Sequence, residues 1–104
     1  MTATNQTATK YTAPGMSTNE GAAAATVLQD RLSELIDLQL TLKHVHWNVV
    51  GPNFIGVHEM LDMQVKGVRK MVDQTAERIA TLGMSPIGTL AGLARERGQA
   101  EGYP

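Results

Sequence analysis

A helix breaker set between two long helical patterns constrains this chain more than any other feature. Gly51-Pro52-Asn53 interrupts the run. Glycine ends a helix at its C-terminus, and proline cannot continue one. On both sides apolar residues recur at steps of three and four, the period of an α-helix that buries one stripe. Two helices folded back at this turn bring the positions six before and six after Pro52 to one level, and those positions are His46 and His58. Asp62 lies one turn beyond His58 on the same face. Two imidazoles and a carboxylate converging inside a helical pair are the start of a metal site, suited to iron, manganese or zinc.

The ends of the elements follow from local chemistry. Ser17 and Glu20 stand in capping-box spacing, so a first helix, α1, is expected over about 18–49. A second, α2, is expected over about 54–82, capped by Asn53 and stopped before Gly83. Residues 1–16 are rich in Thr, Ala, Asn and Gly without periodicity and read as a disordered N-terminal arm. Residues 85–89 read as a loop, and Thr89 caps a short basic helix, α3, over about 90–97, with a frayed tail over 98–104. The fold class is all-α: a long antiparallel hairpin over residues 17–89, then a short helix and tail over 90–104.

On α1 the stripe Leu28, Leu32, Leu35, Gln39, Leu42 and His46 is inward, while Asp30, Glu34, Asp37, Thr41, His44 and Asn48 form a polar face. His46 is therefore buried and His44 solvated. The inner stripe of α2 is Phe54, His58, Leu61, Val65, Val68, Val72, Thr75 and Ile79. Ile36, Leu40 and Trp47 on one flank of α1, and Leu38, Val45 and Val49 on the other, find no cover in a hairpin. Roughly 65 helical residues are also too few for a secure core without staples or association. The sequence asks for a further chain.

A net charge of −1 gives no general pull toward nucleic acid or acidic membrane. The absence of cysteine excludes disulfides and thiolate metal sites. No apolar run reaches membrane-spanning length and no signal-peptide pattern opens the chain, so a cytoplasmic location is expected.

Asp73 and Glu77 share a face at i,i+4, as His58 and Asp62 do. His58 and Asp73 are fifteen residues apart, roughly 22 Å along a helix, so one straight helix cannot bring both to one ion. Two α2 helices antiparallel about a two-fold axis set Asp73 and Glu77 of one chain against His58 and Asp62 of the other. Plainer roles exist for each: Asp73 and Glu77 on a solvated face beside Arg69, Trp47 and the methionines in packing, His44 on the surface.

Residues 43–62, KHVHWNVVGPNFIGVHEMLD, resemble the signature of the Dps family, ferritin-like proteins called DNA-binding proteins from starved cells. The segment DQTAER over 73–78, then Leu82-Gly83 and Pro86-Ile87-Gly88-Thr89, continues the resemblance. It runs from about Val27 to Thr89 and carries H-W-N, H-x-x-x-D and D-x-x-x-E at matching separations. The resemblance implies that α1 and α2 are helices A and B of a four-helix bundle. It also implies a ferroxidase centre with His46, His58 and Asp62 from one subunit and Asp73 and Glu77 from its two-fold mate. Iron would be oxidised there by hydrogen peroxide or dioxygen, with Trp47 taking up oxidising equivalents, and ferric mineral stored in a dodecamer.

The departures are specific. Helices C and D do not follow, and residues 90–104 do not continue the family's sequence, so the chain reads as truncated after the second bundle helix. The arm offers only Lys10 and the terminal amine to phosphate, a weak basis for DNA binding. The alternative to an iron oxidase is a non-catalytic helical remnant that associates with full-length subunits. A zinc hydrolase is the third reading, from His58-Glu59-Met60-Leu61-Asp62, but no histidine follows to complete that site and Glu59 faces solvent.

Overall fold

The computed structural model describes residues 11–52 and 54–101, the last five as backbone only. Helix α1 spans Thr18–Asn48, α2 spans Phe54–Thr81 and α3 spans Leu90–Glu101. Each end has a local cause. Extended Ser17 accepts a hydrogen bond from the Glu20 N–H at 3.0 Å, and the Glu20 carboxylate accepts one from the Ser17 N–H at 2.8 Å. Two orphan donors of the first turn are thereby satisfied. At the other end Val49 is extended and Gly51 takes φ +125, a conformation L side chains rarely adopt. The Phe54 N–H then donates to the Gly51 carbonyl at 3.1 Å and the chain re-enters a helix. The expected Asn53 cap lies outside the described residues.

Helix α2 closes with a paired left-handed cap. Gly83, at φ +94, donates to the Ala80 carbonyl at 3.0 Å, and Met84 donates to Ile79 at 3.2 Å. Thr89 starts α3: its hydroxyl accepts from the Gly92 N–H at 3.1 Å and its carbonyl from Leu93 at 2.9 Å. That helix runs to Glu101, beyond the expected stop near Arg97, because no breaker stronger than Gly98 intervenes.

The two long helices pack on their apolar stripes. Ala25 and Leu32 from α1 meet Ile79 and Leu82 at the end remote from the turn. Leu61, Val65 and Val68 continue the seam along α2, and Leu93 adds the contribution of α3. Burial is weaker toward the turn, where Trp47 is 68% and Val50 86% exposed. Leu38, Leu40 and Val45 are also exposed, whereas Ile36 packs against the core. A groove of about 580 Å³ remains between Ile36 and Leu40, Val72 and Ala76, and Leu90 and Leu93.

A polar clamp ties the loop down. Buried Gln29 donates through Nε2 to the Ile87 carbonyl at 2.9 Å and accepts the Ile87 N–H at 2.9 Å through Oε1. The side-chain amide thus satisfies both backbone groups of Ile87 where no strand can. Its Nε2 also reaches Ser33 at 3.1 Å, and the Ser33 hydroxyl donates to Glu96 of α3.

The expected arm over 1–16 is too long. Residues 1–10 lie outside the described residues, but 11–16 fold back on the hairpin. The Thr12 hydroxyl donates to the Leu82 carbonyl at 2.7 Å, and Ala13 and Met16 pack on the core. Apolar Ala13 and Met16 cover the end of the seam, which composition without periodicity did not reveal. Their approach depends on Gly21, where a Cβ would stand 2.7 Å from the Leu82 carbonyl oxygen and collide with Thr12. Gly21→Ala should therefore lower stability by about 1–3 kcal/mol. Gly67, with open space around it on α2, is the control: Gly67→Ala should raise stability by about 0.5–1 kcal/mol. Urea unfolding followed by circular dichroism reads both, and equal effects of the two would remove the steric account.

Candidate metal centre

The turn sets the level of the two helices, and the level sets the site. His46 in the last turn of α1 and His58 in the second turn of α2 lie ring to ring, with centroids 3.6 Å apart and planes tilted by 38°. Phe54, one turn before His58, closes the end of the pair at 5.2 Å. Asp62 joins from the next turn of α2, its Oδ1 3.7 Å from His46 Nε2. That separation is too long for a hydrogen bond.

His46 is the distinctive group. It is buried, and neither Nδ1 nor Nε2 has a hydrogen-bond partner. A buried polar atom left unpartnered costs about 1–3 kcal/mol. Burial lowers the pKa of His46 below the ordinary 6.5, and the nearby His58 and Lys43 lower it further, against an upward pull from Asp62. The ring is therefore held neutral, with a lone pair free to donate. A cation placed near it would satisfy a nitrogen that the protein leaves bare. Neutral imidazole and carboxylate together suit a divalent transition metal of the iron type.

The remaining expected ligands stand elsewhere. Asp73 and Glu77 are exposed on α2, roughly 22 Å and roughly 28 Å along the helix from His58. Among the described residues no group of three His, Asp or Glu side chains is arranged to enclose a metal ion in this one chain. Asp73 also forms no ion pair with Arg69 among the described residues, so the salt bridge considered as its plainer role is not made. Trp47 follows His46 in sequence but points outward, 68% exposed. His44 is exposed, its carbonyl accepting from Asn48 Nδ2 at 2.8 Å, and Glu59 is exposed as well.

One residue of the site escaped the sequence reading. Lys43 Nζ lies 3.5 Å from Asp62 Oδ1, the same oxygen that faces His46. Its spacing of three residues before His46 was the available signal, since such positions share a helix face.

The ferritin-like domain family matches residues 25–103, past Thr89, where the resemblance was expected to end; α3 lies inside the matched region. The DNA protection during starvation protein of Mycolicibacterium smegmatis is 58% identical over 89 residues, covering 86% of this chain and 49% of that protein. The fine tangled pili major subunit of Haemophilus ducreyi is 53% identical over 94 residues, covering 90% and 49%. Among solved structures, the tetragonal form of Mycobacterium smegmatis Dps superposes with a TM-score of 0.80 at 59% identity, covering 84% of this chain and 53% of that one. DpsA14 from Streptomyces coelicolor gives 0.79 at 57%, covering 86% and 53%. The chain spans about half the length of the curated relatives it matches. No helix among the described residues is long and apolar enough to cross a membrane.

The lowered pKa of His46 makes the stability of the fold depend on pH. The unfolded ring takes up a proton near pH 6.5 and the folded ring only at lower pH. Stability from this group is complete above that value and is lost as pH falls toward the folded pKa. Urea midpoints measured between about pH 7.5 and 5 should decline for the wild type and decline less for His46→Gln. Parallel curves would show that His46 titrates in the fold as it does in the unfolded chain.

Proposed function

The chain belongs to the Dps family of ferritin-like proteins, and on that footing we propose that it oxidises and sequesters ferrous iron, removing peroxide, at a di-iron site shared by two chains. The observation that carries this reading is the buried His46, unpartnered at both nitrogens and in ring contact with His58 beside Asp62. Iron is substrate here. Hydrogen peroxide, or dioxygen, is the oxidant: two ferrous ions give one electron each to peroxide, its O–O bond breaks, and two protons complete two waters. His46, His58 and Asp62 hold iron from one chain, and Asp73 and Glu77 from a second chain supply the carboxylates. Carboxylate oxygens with few imidazoles suit a modest affinity for the ferrous ion and favour the harder ferric product of its oxidation. Trp47, next to His46 in sequence and exposed, is the residue that takes up a stray oxidising equivalent.

The homo-oligomer is a dimer at least, and a dodecameric shell for mineral is the family's larger form. DNA binding keeps only the weak support of Lys10. A second reading rests on the exposed Leu40, Trp47 and Leu90 together with the half-length match: a helical hairpin that associates with longer subunits and does not turn over. Iron-dependent peroxide consumption by the purified chain separates the two.

Subunit mixing tests the shared site directly. His58→Ala and Glu77→Ala chains should each be inactive alone. Unfolded and refolded together in equal amounts, they form heterodimers with one intact site of two, so about a quarter of wild-type peroxide consumption should return. No recovery from folded mixtures would mean that the ligands do not come from two chains.

A further inference from the structure

Asp62 is already engaged by a cation of the protein's own. Lys43 reaches across from α1 to α2, and its Nζ lies 3.5 Å from Oδ1 with the lysine side chain 34% exposed. The same oxygen is the one turned toward His46 at 3.7 Å. Lys43 and His46 stand three residues apart on one face of α1, so the helix presents the ammonium and the bare imidazole to the carboxylate together.

We propose that Lys43 is a positioning residue that sets the affinity of the site for divalent iron, a resident positive charge that the metal must displace from Asp62. This rests on the iron reading given above and names its regulation. Without a metal, the ammonium holds the carboxylate in place beside the unpartnered His46. An arriving dication competes for Oδ1 and meets the ammonium at short range; with the Asp62 side chain 49% exposed, solvent moderates the repulsion without removing it. The lysine stem is flexible and its head reaches water, so it withdraws without rearranging either helix. The outcome is a carboxylate held in place before iron arrives and a site kept from binding iron too tightly.

The test uses the full chain and cobalt(II) alone, a redox-stable stand-in for ferrous iron, by titration calorimetry, with metal-free melting measured in parallel. Lys43→Met keeps the stem and removes the charge; it should bind cobalt about three- to tenfold more tightly while its metal-free form melts at a lower temperature. Lys43→Gln repeats the loss of charge with a polar side chain. Lys43→Arg, which keeps the charge, should stay within about twofold of wild type. The gain from Lys43→Met should vanish when Asp62→Asn is already present, since the lysine acts through that carboxylate. A purely structural lysine would lower melting temperature and affinity together. Unchanged or weaker cobalt binding by both Lys43→Met and Lys43→Gln overturns the inference and leaves the iron reading standing. A wild-type chain that takes up no cobalt, or whose uptake His46→Ala leaves intact, overturns the iron reading and this inference with it.

Discussion

Everything in this molecule depends on the register that the turn imposes on two helices. Val49 leaves α1 in an extended conformation, Gly51 reverses the chain at positive φ, and Phe54 re-enters a helix on the Gly51 carbonyl. These few torsions decide which residues of α1 and α2 are level. One residue more or less would rotate His58 by about 100° around α2. Its ring contact with His46 would be lost, and the Leu61, Val65 and Val68 stripe would leave the seam. The chemistry and the core share one constraint.

The remote end of the hairpin is held by different means. There the seam is sealed by small and polar groups as well as by large apolar ones. Gly21 admits Thr12 to the Leu82 carbonyl, and Gln29 supplies Ile87 with both of its hydrogen bonds. The loop before α3 thereby lies against α1, and Ser33 and Glu96 join α3 itself to the hairpin. Since each of these groups is buried or half-buried, removing one partner leaves another stranded, which gives the network its rigidity.

How legible this was in the sequence follows the range of each interaction. Local signals sufficed for the helices, because the Ser17–Glu20 box, Gly51-Pro52 and Gly83 act within a few residues of themselves. The His46–His58–Asp62 grouping was also legible, because a known turn between two periodic segments leaves one register. Contacts distant in sequence were not. Thr12 on Leu82, Gln29 on Ile87 and Ser33 on Glu96 span roughly 60 to 70 residues and carry no periodic trace. For Lys43 the spacing to His46 marks a shared helix face, but only the placement of Asp62 shows what the ammonium meets. Asp73 and Glu77 are a different case: their pairing is written in spacing, but the geometry that would use it involves a second chain.

The uneven burial along the hairpin also divides its mechanical behaviour. Core and clamp gather near Ala25, Leu32, Ile79 and Leu82, whereas Trp47, Val50 and Ile55 stand open around the turn. Backbone amides over 44–51 and 54–60 should accordingly open before those over 72–82. The candidate ligands His46 and His58 lie in the softer part. On the proposed reading, a metal held between them would draw part of its binding free energy into stiffening the turn, and hydrogen exchange at its amides would gauge occupancy.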